Sequence, residues 1–143
     1  MTMFTDVGEF HESLGLPGNH EVKSPHLLSN ETFRYRLACL NEEIAELTEA
    51  HATNDLEAFA DALADIAWFV LGTAHLAHIP FDSVWDEVRR ANMEKRRWQE
   101  GDPLKPRNGT TSIEVVKPRG WKPPDIEKVL TARFRYINGL GGD

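Results

Sequence analysis

The chain has little cysteine, little positive charge and no unbroken apolar run, and each shortage closes off a class of protein. Cys39 is the single cysteine among 143 residues. An internal disulfide is therefore excluded and a reducing compartment suits the chain, with the thiol serving as a small apolar core group. Lysine and arginine number 16 against 23 aspartates and glutamates, a net charge of −7. A surface that coats nucleic acid needs clustered cations, so no nucleic-acid partner is expected. The most apolar stretch, 56–79, has the length of a membrane span, but Glu57, Asp61, Asp65, His75 and His78 interrupt it, which argues against a membrane partner. The opening residues lack the basic, apolar pattern of a secretory leader, and a cytoplasmic location is the expectation. The Asn-X-Thr triplets at Asn30 and Asn108 then carry no meaning. No internal repeat or low-complexity tract is visible. With 41% hydrophobic and 27% charged residues, the composition is that of a globular chain long enough to bury a modest core.

What is abundant is carboxylate, in two places. "EEIAE" at 42–46 carries Glu42, Glu43 and Glu46, and "DALAD" at 61–65 carries Asp61 and Asp65. A helix advances about 3.6 residues per turn, so Glu43/Glu46, Glu42/Glu46 and Asp61/Asp65 each share a face. Asp61 and Asp65 stand among Phe59, Ala60, Leu63, Ile66, Ala67, Val70 and Leu71, in a helix expected to be mostly buried. Like charges at this spacing oppose helix formation by roughly a few tenths of a kcal/mol. An unpaired buried carboxylate costs roughly several kcal/mol more. A solvated glutamate face accounts for the first cluster alone but not for the second. A hard divalent cation between the clusters removes both penalties, because Mg²⁺, Mn²⁺ and Ca²⁺ take oxygen ligands.

Periodicity predicts an all-α chain. Phe4, Val7, Phe10 and Leu14 mark a short amphipathic helix begun at Thr5 or Asp6 and closed by Gly15 and Pro17. A loop through Leu28 follows. A second helix starts at Asn30 as N-cap and aligns Phe33, Leu37, Leu40, Ile44 and Leu47 as its apolar stripe, with the glutamates on and beside one flank. Arg34 and Arg36, upstream on that helix, can pair with its glutamates or contact phosphate. "NDLE", with Asn54 as N-cap, opens a third helix after a short loop, so the two pack antiparallel and cluster meets cluster. After "HIP" a fourth helix, packed through Phe81, Val84, Trp85, Val88 and Met93, runs into the basic "RRANMEKRRW". Asn92 and Lys95, three apart, share a face there and can meet an anion held at the acidic site; the same cations also complement the helix dipole. His11, His20, His26 and His51 fall at exposed-looking positions, and His75 and His78 have no third ligand arranged for zinc. Beyond Gly101 the chain becomes irregular and rich in Pro and Gly, with a strand-like run at 113–116 and a last helix from Asp125. A core of 1–100 carrying an extension of 101–143 is the expected organisation. A third helix apolar all round argues that the bundle is completed by a second copy.

The order of these motifs carries a resemblance. "EEIAE", "DALADIAWFVLGTA", "IPFDSVWDEVRRANMEKR" and "GWKPPDI", with "EFHESLGLP" ahead of "ETFRYRL", run from residue 10 to residue 126. Together they resemble the MazG-like and phosphoribosyl-ATP pyrophosphohydrolase-like families of all-α nucleoside triphosphate pyrophosphatases. The resemblance implies an antiparallel helical bundle completed by homo-oligomerisation, as a homodimer or homotetramer. It implies a nucleoside triphosphate substrate, ribo or deoxy, cleaved to monophosphate and pyrophosphate with Mg²⁺, for which Mn²⁺ can substitute. By the same resemblance Glu43 and Glu46 are the first metal pair, Asp65 is the final aspartate of the second, and Glu42 activates water. Asn92 and Lys95 match the stretch that holds phosphates, with Arg34 or Arg36 adding a further contact, and Trp98, Trp121, Tyr35 or Phe33 is placed to stack on a base or to pack. The second motif usually has Glu three residues before its Asp, and Ala62 stands there. Asp61, one residue earlier, lies within about 60° of the required face and is expected to substitute as an outer ligand or through water. Two alternatives stand beside this reading: phosphoribosyl-ATP as the substrate, and a non-catalytic helical dimer that senses nucleotide or serves as an interaction module.

Overall fold

The computed structural model describes residues 1–16, 23–102 and 115–139; His20, Asn108 and the first half of the strand-like run lie outside them. Helix boundaries fall where short polar side chains can cap. α1 (Met3–Ser13) begins at Thr2, earlier than Thr5 or Asp6. Thr2 Oγ1 accepts the Thr5 N–H at 3.3 Å and Thr5 Oγ1 accepts the Thr2 N–H at 2.7 Å, so the expected cap residue is instead the reciprocal partner one turn in. α2 (Asn30–Ala52) is capped by Ser29 rather than Asn30, the Ser29 hydroxyl taking the Thr32 N–H at 3.2 Å. Asn54 takes the left-handed position of the next turn, φ 57°, which asparagine tolerates. Capping of α3 (Leu56–Leu76) therefore passes to Asp55, whose Oδ1 accepts the Ala58 N–H at 3.0 Å.

α4 (Phe81–Met93) stops before the basic run is complete. Arg96–Arg97 forms a strand, β1, paired antiparallel with Val115–Val116, β2, with Arg96 opposite Val116 and Arg97 opposite Val115. The helix expected through "EKRRW" ends early, the Lys95 N–H bonding the Asn92 carbonyl at 3.1 Å in a tight turn before the backbone extends. α5 (Ile126–Ile137) begins at Asp125 as expected, its Oδ1 accepting the Lys128 N–H at 3.0 Å.

α2 lies back along α3 in the most extensive pairing, α1 packs on α3, and α4 joins α3 to α5. The closest packing is made of small residues: Cys39 and Ala50 on α2, and Ala62, Gly72 and Ala74 on α3. α3 was expected to be mostly buried and is not. Leu63 is 47% exposed, and Trp68 and Val70 are also open. By length and composition α3 could cross a membrane, yet it packs against three other helices here. Its sequence is apolar on every side, and one chain supplies neighbours for only part of that circumference. Phe33, Leu37 and Ile44 of α2 and Trp85 of α4 are exposed as well, so a single chain leaves more apolar surface than solubility favours.

Candidate active site

The inward stripe of α2 runs through Arg36, Cys39, Leu40, Glu43, Leu47 and Ala50, and that of α3 through Phe59, Ala62, Asp65, Ile66 and Phe69. Glu43 and Asp65 thus sit on the facing sides of the two helices, while Glu42, Glu46 and Asp61 line their exposed flanks. Glu43 Oε2 is shut off from solvent and has no hydrogen-bond partner among the described residues. Its carboxyl is held above the usual carboxylate range, first by desolvation and then by Glu46, Asp65, Glu42 and Asp61 in falling order. Five carboxylates from two helices therefore share one electrostatic site. Ala62, where a glutamate was looked for, is buried at 2% exposure, and the exposed Asp61 exerts the weakest of the four fields.

This is an arrangement a hard cation fits: an orphaned buried oxygen, a second carboxylate facing it, and three more within electrostatic reach. Among the described residues no three such groups already converge as a coordination shell.

The basic residues divide. Arg34 is exposed on α2. Arg36, expected beside it as a phosphate ligand, is 7% exposed and spent on α3. Its Nη2 donates to the Phe69 carbonyl at 2.7 Å, its Nε donates to Thr73 Oγ1 at 3.1 Å, and its guanidinium lies 5.0 Å over the Phe69 ring. Arg36 is a tie between helices, which removes it from the substrate-binding set. Lys95 and Asn92 are together as expected, Lys95 Nζ donating to Asn92 Oδ1 at 2.6 Å, although they meet across a turn at the end of α4 rather than along a continued helix. α3 climbs from Asp65 to Leu76 and α4 descends from Phe81 to Asn92, each over eleven residues, or about 16 Å at 1.5 Å per residue. Phe81 and Trp85 share a cleft with Leu71, Val70 and Ala67, so the first turns of α4 run back along α3 in the direction of Asp65.

Sequence reasoning misplaced one group and left the role of another open. His11 is 6% exposed rather than solvent-facing, with its ring centroid 5.2 Å from that of His75, and Nδ1 has no hydrogen-bond partner among the described residues. Burial first, then His75 and Arg36, pushes its pKa down. The signals were two glycines: Gly72 on α3, where a Cβ would stand 3.0 Å from His11 Nε2, and Gly8 on α1, where one would stand 3.3 Å from His75. The other is Trp121, whose indole N–H donates to the Ala91 carbonyl at 2.6 Å and whose ring lies under Lys95 and Lys117, at 5.7 and 4.3 Å. The indole is thus packed on the end of α4, one of the two roles expected of it.

Residues 7–92 match the model of the family described as phosphoribosyl-ATP pyrophosphohydrolase. An uncharacterised protein of Acanthamoeba polyphaga mimivirus is 33% identical over 82 residues, which cover 57% of this chain and 33% of that protein. The chain thus matches about a third of that relative's length.

Proposed function

Since the chain belongs to the phosphoribosyl-ATP pyrophosphohydrolase family, we propose that it is a Mg²⁺-dependent pyrophosphohydrolase that splits a nucleoside triphosphate into monophosphate and pyrophosphate. The observation that carries the reading is Glu43, whose buried, unpartnered oxygen faces a second helix rich in carboxylate. Glu43, Glu46 and Asp65 would hold the cation, with Asp61 as an outer ligand or acting through water, and Mn²⁺ could replace Mg²⁺. When bound, such an ion neutralises phosphate charge, makes phosphorus more electrophilic and acidifies water. Glu42, exposed beside the seam, takes the proton of the attacking water. The water oxygen bonds to the α-phosphorus as the bond from that phosphorus to its bridging oxygen breaks, and pyrophosphate departs with the electron pair. Lys95 and Asn92 donate hydrogen bonds to the departing oxygens where negative charge builds. Arg34 is free to reach a phosphate from α2.

The exposed apolar residues of α2, α3 and α4 support self-association, as a homodimer or homotetramer, by which a second copy covers α3. The family description favours a second reading within the same chemistry, with phosphoribosyl-ATP as substrate. A panel of ribo- and deoxynucleoside triphosphates and phosphoribosyl-ATP, each with and without Mg²⁺ and with products separated by anion exchange, tests both. Monophosphate plus pyrophosphate appearing only with metal supports the proposal and names the substrate. Glu46→Gln should abolish that turnover with the circular dichroism spectrum unchanged, and a normally active variant would remove the site.

A further inference from the structure

The residues beyond the family match bring a second cation to the phosphate-binding end of α4. Arg96 is opposite Val116 in the ribbon, so Lys95, just before the one, and Lys117, just after the other, come to the same end of it. Like charges in that relation repel. Both are nevertheless held on one indole, Lys117 Nζ at 4.3 Å and Lys95 Nζ at 5.7 Å from the Trp121 centroid. The indole is itself fixed, because Nε1 donates at 2.6 Å to the Ala91 carbonyl in the last turn of α4, where helix carbonyls otherwise lack partners. The segment after it is anchored too: Arg90 Nη2 donates to the Pro123 carbonyl at 3.1 Å, and the Asp125 N–H donates to Glu87 Oε1 at 3.0 Å. Lys95 also keeps its bond to Asn92. In a chain of net charge −7, two ammonium groups held within about 6 Å of one indole centroid, at 5.7 and 4.3 Å, match an anion that carries charge on two adjacent phosphorus centres.

We infer that Lys117 is a second pyrophosphate-binding residue, set beside Lys95 by the Trp121 ring, so that the two lysines grip the same leaving group. The inference rests on the proposed reading of Lys95. Lys117 supplies charge and hydrogen bonds directly, and Trp121 is a positioning residue that acts through both.

The test is binding of inorganic pyrophosphate to the full chain by titration calorimetry, with and without Mg²⁺, beside its inhibition of nucleotide turnover. Lys117→Met should raise the pyrophosphate Kd about tenfold, as expected for a lost charge-assisted hydrogen bond, and Lys117→Arg should recover most of the loss. Lys122→Met, which removes a nearby exposed cation, should change little. Trp121→Leu should weaken binding in wild type but add little in a Lys95→Met, Lys117→Met background, since its effect passes through those lysines. If Lys95→Met weakens pyrophosphate binding while Lys117→Met does not, the inference is overturned and the Lys95 reading survives. An equal loss in Lys122→Met overturns it as well, by reducing the effect to general charge. A wild-type chain that neither binds pyrophosphate nor turns over any nucleotide overturns the proposed function, and this inference with it.

Discussion

Gly72→Ala should destabilise the protein, against the usual direction for a helix interior. Alanine is favoured over glycine in a helix by about 1 kcal/mol, and Gly72 sits well inside α3. A Cβ there would stand 2.5 Å from Arg36 Nη2 and 3.0 Å from His11 Nε2. The guanidinium has to move, and Nη2 then gives up its 2.7 Å bond to the Phe69 carbonyl. Hydrogen bonds from charged groups contribute about 1.5–3 kcal/mol, and this one is buried. The loss exceeds the helix gain, leaving a net destabilisation of about 0.5–2 kcal/mol. Urea unfolding followed by circular dichroism at a fixed protein concentration measures it, and the slope with denaturant should be unchanged. Repeating the substitution in an Arg36→Met background should remove most of the penalty, because the group that the new methyl meets is gone. A Gly72→Ala protein as stable as wild type, with Arg36 intact, would refute the view that Arg36 is locked between α2 and α3.

Three further outcomes are expected. The Glu87 carboxyl is held down at about 2, first by the hydrogen bond from Arg90 and then by the Asp125 N–H. This stabilisation of the α4–α5 contact is present above the unfolded value of 4.5 and is lost as pH falls toward 2; Trp121 fluorescence should follow the loss, and Glu87→Gln should flatten it. His11 titrates below its ordinary 6.5 because of burial, His75 and Arg36. The unfolded chain therefore binds the proton first, and stability falls as pH drops below 6.5; His11→Phe should weaken that dependence in thermal melts between pH 7.5 and 5. Leu63→Asp places a charge on the open face of α3 and should shift the protein toward monomer in light scattering coupled to size exclusion, whereas Glu57→Ala at the exposed start of the same helix should not.

The acidic seam was legible because it is a local matter: spacing along two helices and a short loop suffice to set Glu43 and Asp65 face to face. Caps were misplaced by one residue on α2 and α3 and by a full turn on α1, since Ser29 and Asn30 are chemically equivalent candidates, only the left-handed turn decides between Asn54 and Asp55, and Thr2 and Thr5 cap each other reciprocally. Long-range satisfaction was not legible. Nothing near Arg36 in sequence indicates that Phe69 and Thr73 will take its donors, and a glycine in the middle of an apolar helix was the one trace of it. Trp121 reaches Ala91 across thirty residues, a separation at which periodicity carries no information. His11 was misassigned because two overlapping stripes exist on α1, and the choice between Phe10 and His11 as the inner residue depends on room that Gly72 provides on α3, where a Cβ would stand 3.0 Å from His11 Nε2.

The three-residue turn between α2 and α3 also bears on the order of events during folding. A connection that short closes with little entropy loss, so this hairpin is placed to form early. Its seam is where Glu43 meets Asp65, with Glu42, Glu46 and Asp61 alongside. The first native pairing is thus also the one that gathers the most negative charge, and the transition state carries that repulsion. Refolding should accordingly quicken as added salt shortens the screening length, about 10 Å at 0.1 M and about 3 Å at 1 M, while a chain with Glu43→Gln and Asp65→Asn should refold fast at any ionic strength. The sequence that prepares the site sets the pace at which the chain reaches it.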